Sequence, residues 1–144
     1  MEAGIDVADI TERLYRTRTL GRTRLLGAVL DGLEISGDGK IAWARLTEAM
    51  LDRCGALRED NEGIVSYLVE IAGVECAVLA EERDGATKFS LRSKRPPNVA
   101  ADVALSFGGG GHECAAGCTL ELGLEEALKR VLAQARKAVD ALEG

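Results

Sequence analysis

VECAVLAEE, residues 74–82, and TKFSLRS, residues 87–93, flank Arg83-Asp84-Gly85-Ala86 in the most strand-like part of this chain. Two apolar-rich runs around an Asp-Gly pair read as an antiparallel hairpin. The second run alternates, with Phe89 and Leu91 projecting one way and Lys88, Ser90, Arg92 and Lys94 the other, because successive strand residues leave opposite faces. Its basic residues therefore share a face.

Working upstream, GIVSYLVEI (63–71) and LTEAMLDRCG (46–55) read as helices, the latter with Thr47 as its cap and Gly55 where a left-handed terminal residue sits. LEISGDGKIAWARL (33–46) places two short apolar-rich runs around Asp38-Gly39, the signal of a type I′ hairpin turn. Before it, apolar residues at Ile5, Val7, Ile10, Leu14 and Tyr15, then at Leu20, Leu25, Leu26, Val29 and Leu30, predict two helices joined through the basic RTRTLGRTR (16–24). Downstream, Pro96-Pro97 ends the basic strand and Asn98 is placed to cap a helix over VAADVALSF (99–107). GGGGHECAAG (108–117) follows, then a strand CTLEL (118–122) and an amphipathic helix LEEALKRVLAQARKAVDAL (124–142). The expected fold is α/β, a mixed sheet of about five strands with flanking helices, preceded by a connector helix.

Composition narrows the function. At 144 residues and 47% apolar content, the chain has the length of one domain and material for a core. No stretch approaches the roughly 18 uninterrupted apolar residues of a membrane span, and MEAGIDVADITERL carries acids where a secretory signal carries bases. A cytoplasmic protein with no membrane contact is expected. Cys54, Cys76, Cys114 and Cys118 lie among small apolar residues, as buried reduced thiols do. A net charge of −6 excludes a general electrostatic grip on a long polyanion. The exception is KFSLRSKR, residues 88–95, which holds Lys88, Arg92, Lys94 and Arg95 without an acid.

Four consecutive glycines, Gly108 to Gly111, demand either unusual dihedrals or close approach of another group, since glycine is otherwise entropically costly. Phosphate binding meets that demand, through bare N–H groups curled into an anion nest or a following helix N-terminus. A purely structural glycine turn is the competing reading, for neither the P-loop nor the Rossmann spacing is present. His112, the chain's one histidine, directly follows and could donate to a phosphate or stack on a base. A zinc set of His112, Cys114 and Cys118 is a poor alternative, with three tightly spaced candidates and no CxxC. The basic strand can equally be a solvated sheet face, yet Arg92 suits bidentate phosphate contact.

SLRS at 90–93 with VAADVALSFGGGGHECAAG at 99–117 resembles the carboxyl-terminal DHH-associated domain of the Asp-His-His phosphoesterases. LYRTRTLGRTRLLGAVLDGLEISGDGKIAWARLTEAML and DNEGIVSYLVEIAGVECAVLAEE are similar to its nanoRNase and 3′-phosphoadenosine 5′-phosphate phosphatase branch. The resemblance implies an interdomain connector helix over residues 1–20 and a substrate-binding domain over 21–144. It implies substrate contacts from Arg92, Ser93, Gly108, Gly109, Gly110, Gly111 and His112. It also implies two manganese ions held by a separate amino-terminal DHH domain, no metal and no catalytic residue in this chain, and short RNA or a small nucleotide as partner. The chain lacks an Asp-His-His motif, so it is expected to be inactive alone. The apolar stripe at residues 6–16 would then lack its partner domain and favour a homodimer. A RecJ-like single-strand exonuclease, a cyclic-dinucleotide phosphodiesterase and a stand-alone nucleotide-binding module remain alternatives. A tRNA-gripping role would call for a longer basic surface.

Overall fold

The computed structural model describes residues 19–94, 99–112 and 114–142. The described elements are α1 (Leu20–Asp31), β1 (Glu34–Ile35), β2 (Ile41–Leu46), α2 (Glu48–Cys54), a 3-10 turn (Arg58–Asn61), α3 (Ile64–Val69), β3 (Cys76–Arg83), β4 (Ala86–Ser93), α4 (Val99–Ser106), β5 (Gly110–His112), β6 (Ala115–Leu120) and α5 (Leu124–Ala141). The strands form one sheet in the order β1-β2-β3-β4-β6-β5. β2 and β3 run parallel, joined through α2 and α3, and every other pair is antiparallel. The α/β class and the mixed sheet match the sequence reading.

The sheet holds six strands where about five were expected, because Gly110–His112 pairs along β6 instead of forming a loop. Glycines carry no side-chain alternation, so the sequence offered no strand signal there. β6 likewise begins at Ala115, not Cys118. The Asp38-Gly39 hairpin forms, but with a four-residue loop in place of the two-residue type I′ turn. The Ser36 N–H donates to the Ile41 carbonyl at 2.9 Å, and the Asp38 carboxylate accepts from the Ser36 hydroxyl at 2.8 Å and the Lys40 N–H at 3.1 Å. An aspartate that satisfies its own turn in this way favours the wider loop. Arg136 of α5 reaches the same carboxylate at 2.9 Å and holds it well below the usual carboxylate range. The connector expected over 1–20, with its stripe at 6–16, falls outside the described residues up to residue 18, as does the Asn98 cap.

The hairpin of residues 74–93 is the spine of the sheet. β3 and β4 pair in full from Cys76↔Ser93 to Arg83↔Ala86, so Asp84-Gly85 closes a two-residue loop. On one face Ile41, Cys76, Val78, Ala80, Phe89, Leu91, Ala116, Cys118 and Leu120 pack beneath α4 and α5. On the other, Ala42, Ala44, Leu46, Ala77 and Leu79 pack beneath α1, α2 and α3. α2 starts and stops as its sequence dictates: the Thr47 hydroxyl accepts from the Met50 N–H at 3.1 Å, and Gly55 closes it at φ 66°. α3 reaches over β4 as well, and among the described residues no helix layer continues on this face over β6 and β5.

Candidate anion-binding face

On that second face β4 presents Lys88, Ser90 and Arg92, the residues left when Phe89 and Leu91 turn into the core. The register carries this face onward. Arg92 pairs with Ala115 of β6, and Ala115 pairs with His112 of β5. Ser90 pairs with Gly117, which pairs with Gly110. Residues directly opposite in an antiparallel ladder share a face, so Arg92, Ala115 and His112 form one row and Ser90, Gly117 and Gly110 the next. Arg92 and His112 stand two strand spacings apart, about 10 Å between backbones. Between them the floor is two glycines and an alanine. Arg92 is part-buried, with one guanidinium N–H donated to the Leu91 carbonyl at 3.0 Å, while Lys88, Gly110 and His112 are exposed.

The four glycines divide by role. Gly108, at φ 82°, ends α4 in the left-handed region, and the Gly109 N–H caps the Ala104 carbonyl at 2.9 Å. A β-carbon on Gly109 would overlap the Gly117 carbonyl oxygen, and one on Gly111 would lie 2.5 Å from the Ala115 carbonyl oxygen. Gly110 has nothing within 4 Å of that position. Gly110 and Gly111 run extended in β5 instead of curling into a nest, and a hairpin, not a helix, follows them. Among the described strands β5 has a neighbour on one side only, so its outward N–H and C=O groups line the sheet edge.

Ser93 departs from the other expected contacts. It lies on the closed face, 6% exposed, and its hydroxyl accepts the Ala100 N–H at 3.1 Å. Lys94 is directed to the loop after α3, its ammonium 3.3 Å from the Ile71 carbonyl. The zinc set does not assemble: Cys118 packs opposite Phe89 in the core, on the other side of the sheet from His112. Burial pushes the Cys76 thiol up to about 12 and the Cys118 thiol to about 11, which suits packing and not ligation. Among the described residues no three His, Cys, Asp or Glu side chains converge to hold an ion. The sequence reading placed Ser90 on this face but missed Ala115 and Gly117, although small residues at alternate positions of AAGCT signal a bare strand face.

Acid on this face is neutralised where it meets the covered half. Glu81, 3% exposed and paired in register with Lys88, accepts from Asn61 at 2.6 Å and Arg83 at 2.8 Å, with Arg58 at 3.6 Å. Such satisfaction is what a buried carboxylate requires. The open rows are thus left with the positive character of Lys88 and Arg92, next to exposed backbone and an imidazole, an arrangement suited to an anion.

The model of the DHHA1 domain family matches residues 46–141. The bifunctional oligoribonuclease and PAP phosphatase NrnA of Thermus thermophilus is 35% identical over 135 residues, 93% of this chain and 40% of that protein. The chain therefore spans well under half the length of that relative. An exopolyphosphatase-related protein from Bacteroides fragilis superposes with a TM-score of 0.81 at 31% identity, covering 98% of this chain and 42% of that one. The pGpG-specific phosphodiesterase PggH of Vibrio cholerae shares the fold, with a TM-score of 0.58 at 17% identity over 93% of this chain and 44% of its own. No helix among the described residues is long and apolar enough to cross a membrane.

Proposed function

The chain belongs to the DHHA1 domain family, and from that premise we propose that it is the substrate-gripping domain of a metal-dependent phosphoesterase acting on short oligoribonucleotides or 3′-phosphoadenosine 5′-phosphate. The row Arg92–Ala115–His112 carries this reading. Two polar side chains flank a floor too low to block a phosphate between them. Arg92 supplies a fork of charge-assisted donors, and His112 a donor or a stacking surface. The bare glycine floor lets the ligand approach backbone. A single basic face on a chain of net charge −6 suits a short substrate better than a long one.

The hydrolysis itself calls for a metal centre, manganese in the family's pattern, which the described residues do not fit. We therefore assign this chain binding and orientation, with the metal-holding DHH domain as the partner that supplies the reaction. Purified alone, the chain is expected to hydrolyse neither dinucleotides nor 3′-phosphoadenosine 5′-phosphate when manganese is added.

Calorimetric titration of mononucleotides, 3′-phosphoadenosine 5′-phosphate, dinucleotides and cyclic dinucleotides into the parent and two variants tests the site. Arg92→Ala is expected to weaken binding by about 1.5–3 kcal/mol with the fold intact. Lys88→Ala, a screened rim charge, should lose less than about 0.5 kcal/mol. Equal affinities for the parent and Arg92→Ala would dismantle the proposed site.

A further inference from the structure

We infer that Ser93 is a positioning residue, which locks together the three pieces carrying Arg92, the glycines and His112, and is not itself a ligand contact. Three observations converge on it. Ser93 faces away from Arg92, 6% exposed on the closed side of β4. Its hydroxyl accepts the Ala100 N–H at 3.1 Å, near the start of α4. Its own N–H donates to the Cys114 carbonyl at 3.0 Å, in the turn between His112 and β6. One residue thus binds a helix with its side chain and the His112 hairpin with its backbone, while its neighbour Arg92 projects onto the open face.

The hydroxyl does what a helix N-cap does, but from a strand. A cap oxygen accepts from the second or third helical N–H, and Ala100 is the second residue of α4. Ala100 is 0% exposed, so without that oxygen its N–H would be buried and unsatisfied. The eight-residue helix then delivers Gly108 and Gly109, the latter packed so closely on Gly117 that it has no room for a side chain. Packing of this density passes a displacement on instead of absorbing it. A shift at the start of α4 accordingly reaches β5.

The consequence for ligand affinity rests on the proposed function, whereas the positioning role does not, and the experiment separates them. His112 is the chain's one histidine, so its imidazole resonances are unique in an NMR spectrum. In ligand-free Ser93→Ala, amide exchange at 100–103 and 110–112 is expected to accelerate about five- to thirtyfold, the range that loss of a cap produces. The His112 resonances should move as well, and Ser93→Thr, which restores the oxygen, should recover both. Should the alanine variant fail to fold, Ser93→Cys, of similar size but a weak acceptor, is read in its place. Unchanged exchange at 110–112 and unchanged His112 resonances, whatever the melting temperature does, would overturn the proposal. So would weakened AMP binding in Ser93→Ala with an undisturbed free protein, since that is the mark of direct contact. If the parent binds no nucleotide, the binding reading fails and the ligand-free measurements still decide the role of Ser93.

Discussion

One face of one sheet behaves in two ways. Over β2 and β3 it carries Ala42, Ala44, Leu46, Ala77 and Leu79, sealed beneath α1 to α3. Over the next three strands, β4, β6 and β5, it carries Ser90, Arg92, Ala115, Gly117, Gly110 and His112, which stay half-buried or exposed. The opposite face is mostly apolar and is covered across β2, β3, β4 and β6. A strand whose two faces are both buried needs apolar residues at every position, whereas β4 and β6 need them only at alternate ones. The described helices end over β4, and what remains is a polar surface with small residues on β6 and β5, backed by the core behind it. That combination of rigid support and a bare floor is what a binding surface calls for.

The sharpest test lies at the border. Leu79 and Ser90 are register partners on that face, the first 2% exposed under the helices and the second part-exposed. Leu79→Ala is expected to cost about 2–5 kcal/mol of stability, the range for a buried leucine that leaves a cavity. Ser90→Ala should stay within about 0.5 kcal/mol. Urea unfolding of the two variants reads the difference directly. Comparable losses would mean that the two halves of the face are equally covered.

The glycines permit a second comparison, of smaller size. Gly109→Ala forces a methyl group onto the Gly117 carbonyl oxygen, with the Cys118 β-carbon 2.7 Å away. It should destabilise by about 1–3 kcal/mol, as overpacking does. At Gly110 the space is open, so Gly110→Ala should keep stability within about 0.5 kcal/mol while weakening nucleotide binding. Thermal melts and titration of both variants separate the roles. A Gly110→Ala protein that melts like Gly109→Ala would show that the floor is not open, and one that binds like the parent would move the ligand elsewhere.

The uneven legibility of the sequence has the same origin. Phe89 and Leu91 alternating with Lys88, Ser90 and Arg92 announced a one-sided strand, and the β3–β4 hairpin follows from that pattern with its Asp84-Gly85 loop. Thr47 and Gly55 marked the ends of α2 because their chemistry is local. The floor was not legible in the same way. Gly110, Gly111, Ala115 and Gly117 carry no hydrophobic period, so β5 read as a loop and β6 appeared to begin late. The long-range bonds of Ser93 to Ala100 and Cys114 leave no mark in a sequence at all. The family resemblance placed Arg92 and Ser93 together as ligand contacts, whereas adjacent strand residues must face opposite ways, and only Arg92 faces the open side.

The smallest expected effect probes how dry the covered side is. Cys76, 0% exposed between β3 and the helices behind it, has its thiol pushed up to about 12 by burial alone. In the unfolded chain the thiol titrates near 9. The folded state therefore holds its proton after the unfolded state has lost it, so the contribution is complete below pH 9 and declines as pH rises toward 12. At pH 9.5 the loss amounts to about 1 kcal/mol for this one thiol. Cys118, shifted in the same direction, adds to it. Cys76→Ala should flatten the fall in stability between pH 8 and 9.5 by that amount, in urea titrations at each pH, even though the variant is less stable at neutral pH. A slope identical to the parent's would mean that water reaches Cys76, and the core behind the open face would be looser than the packing requires.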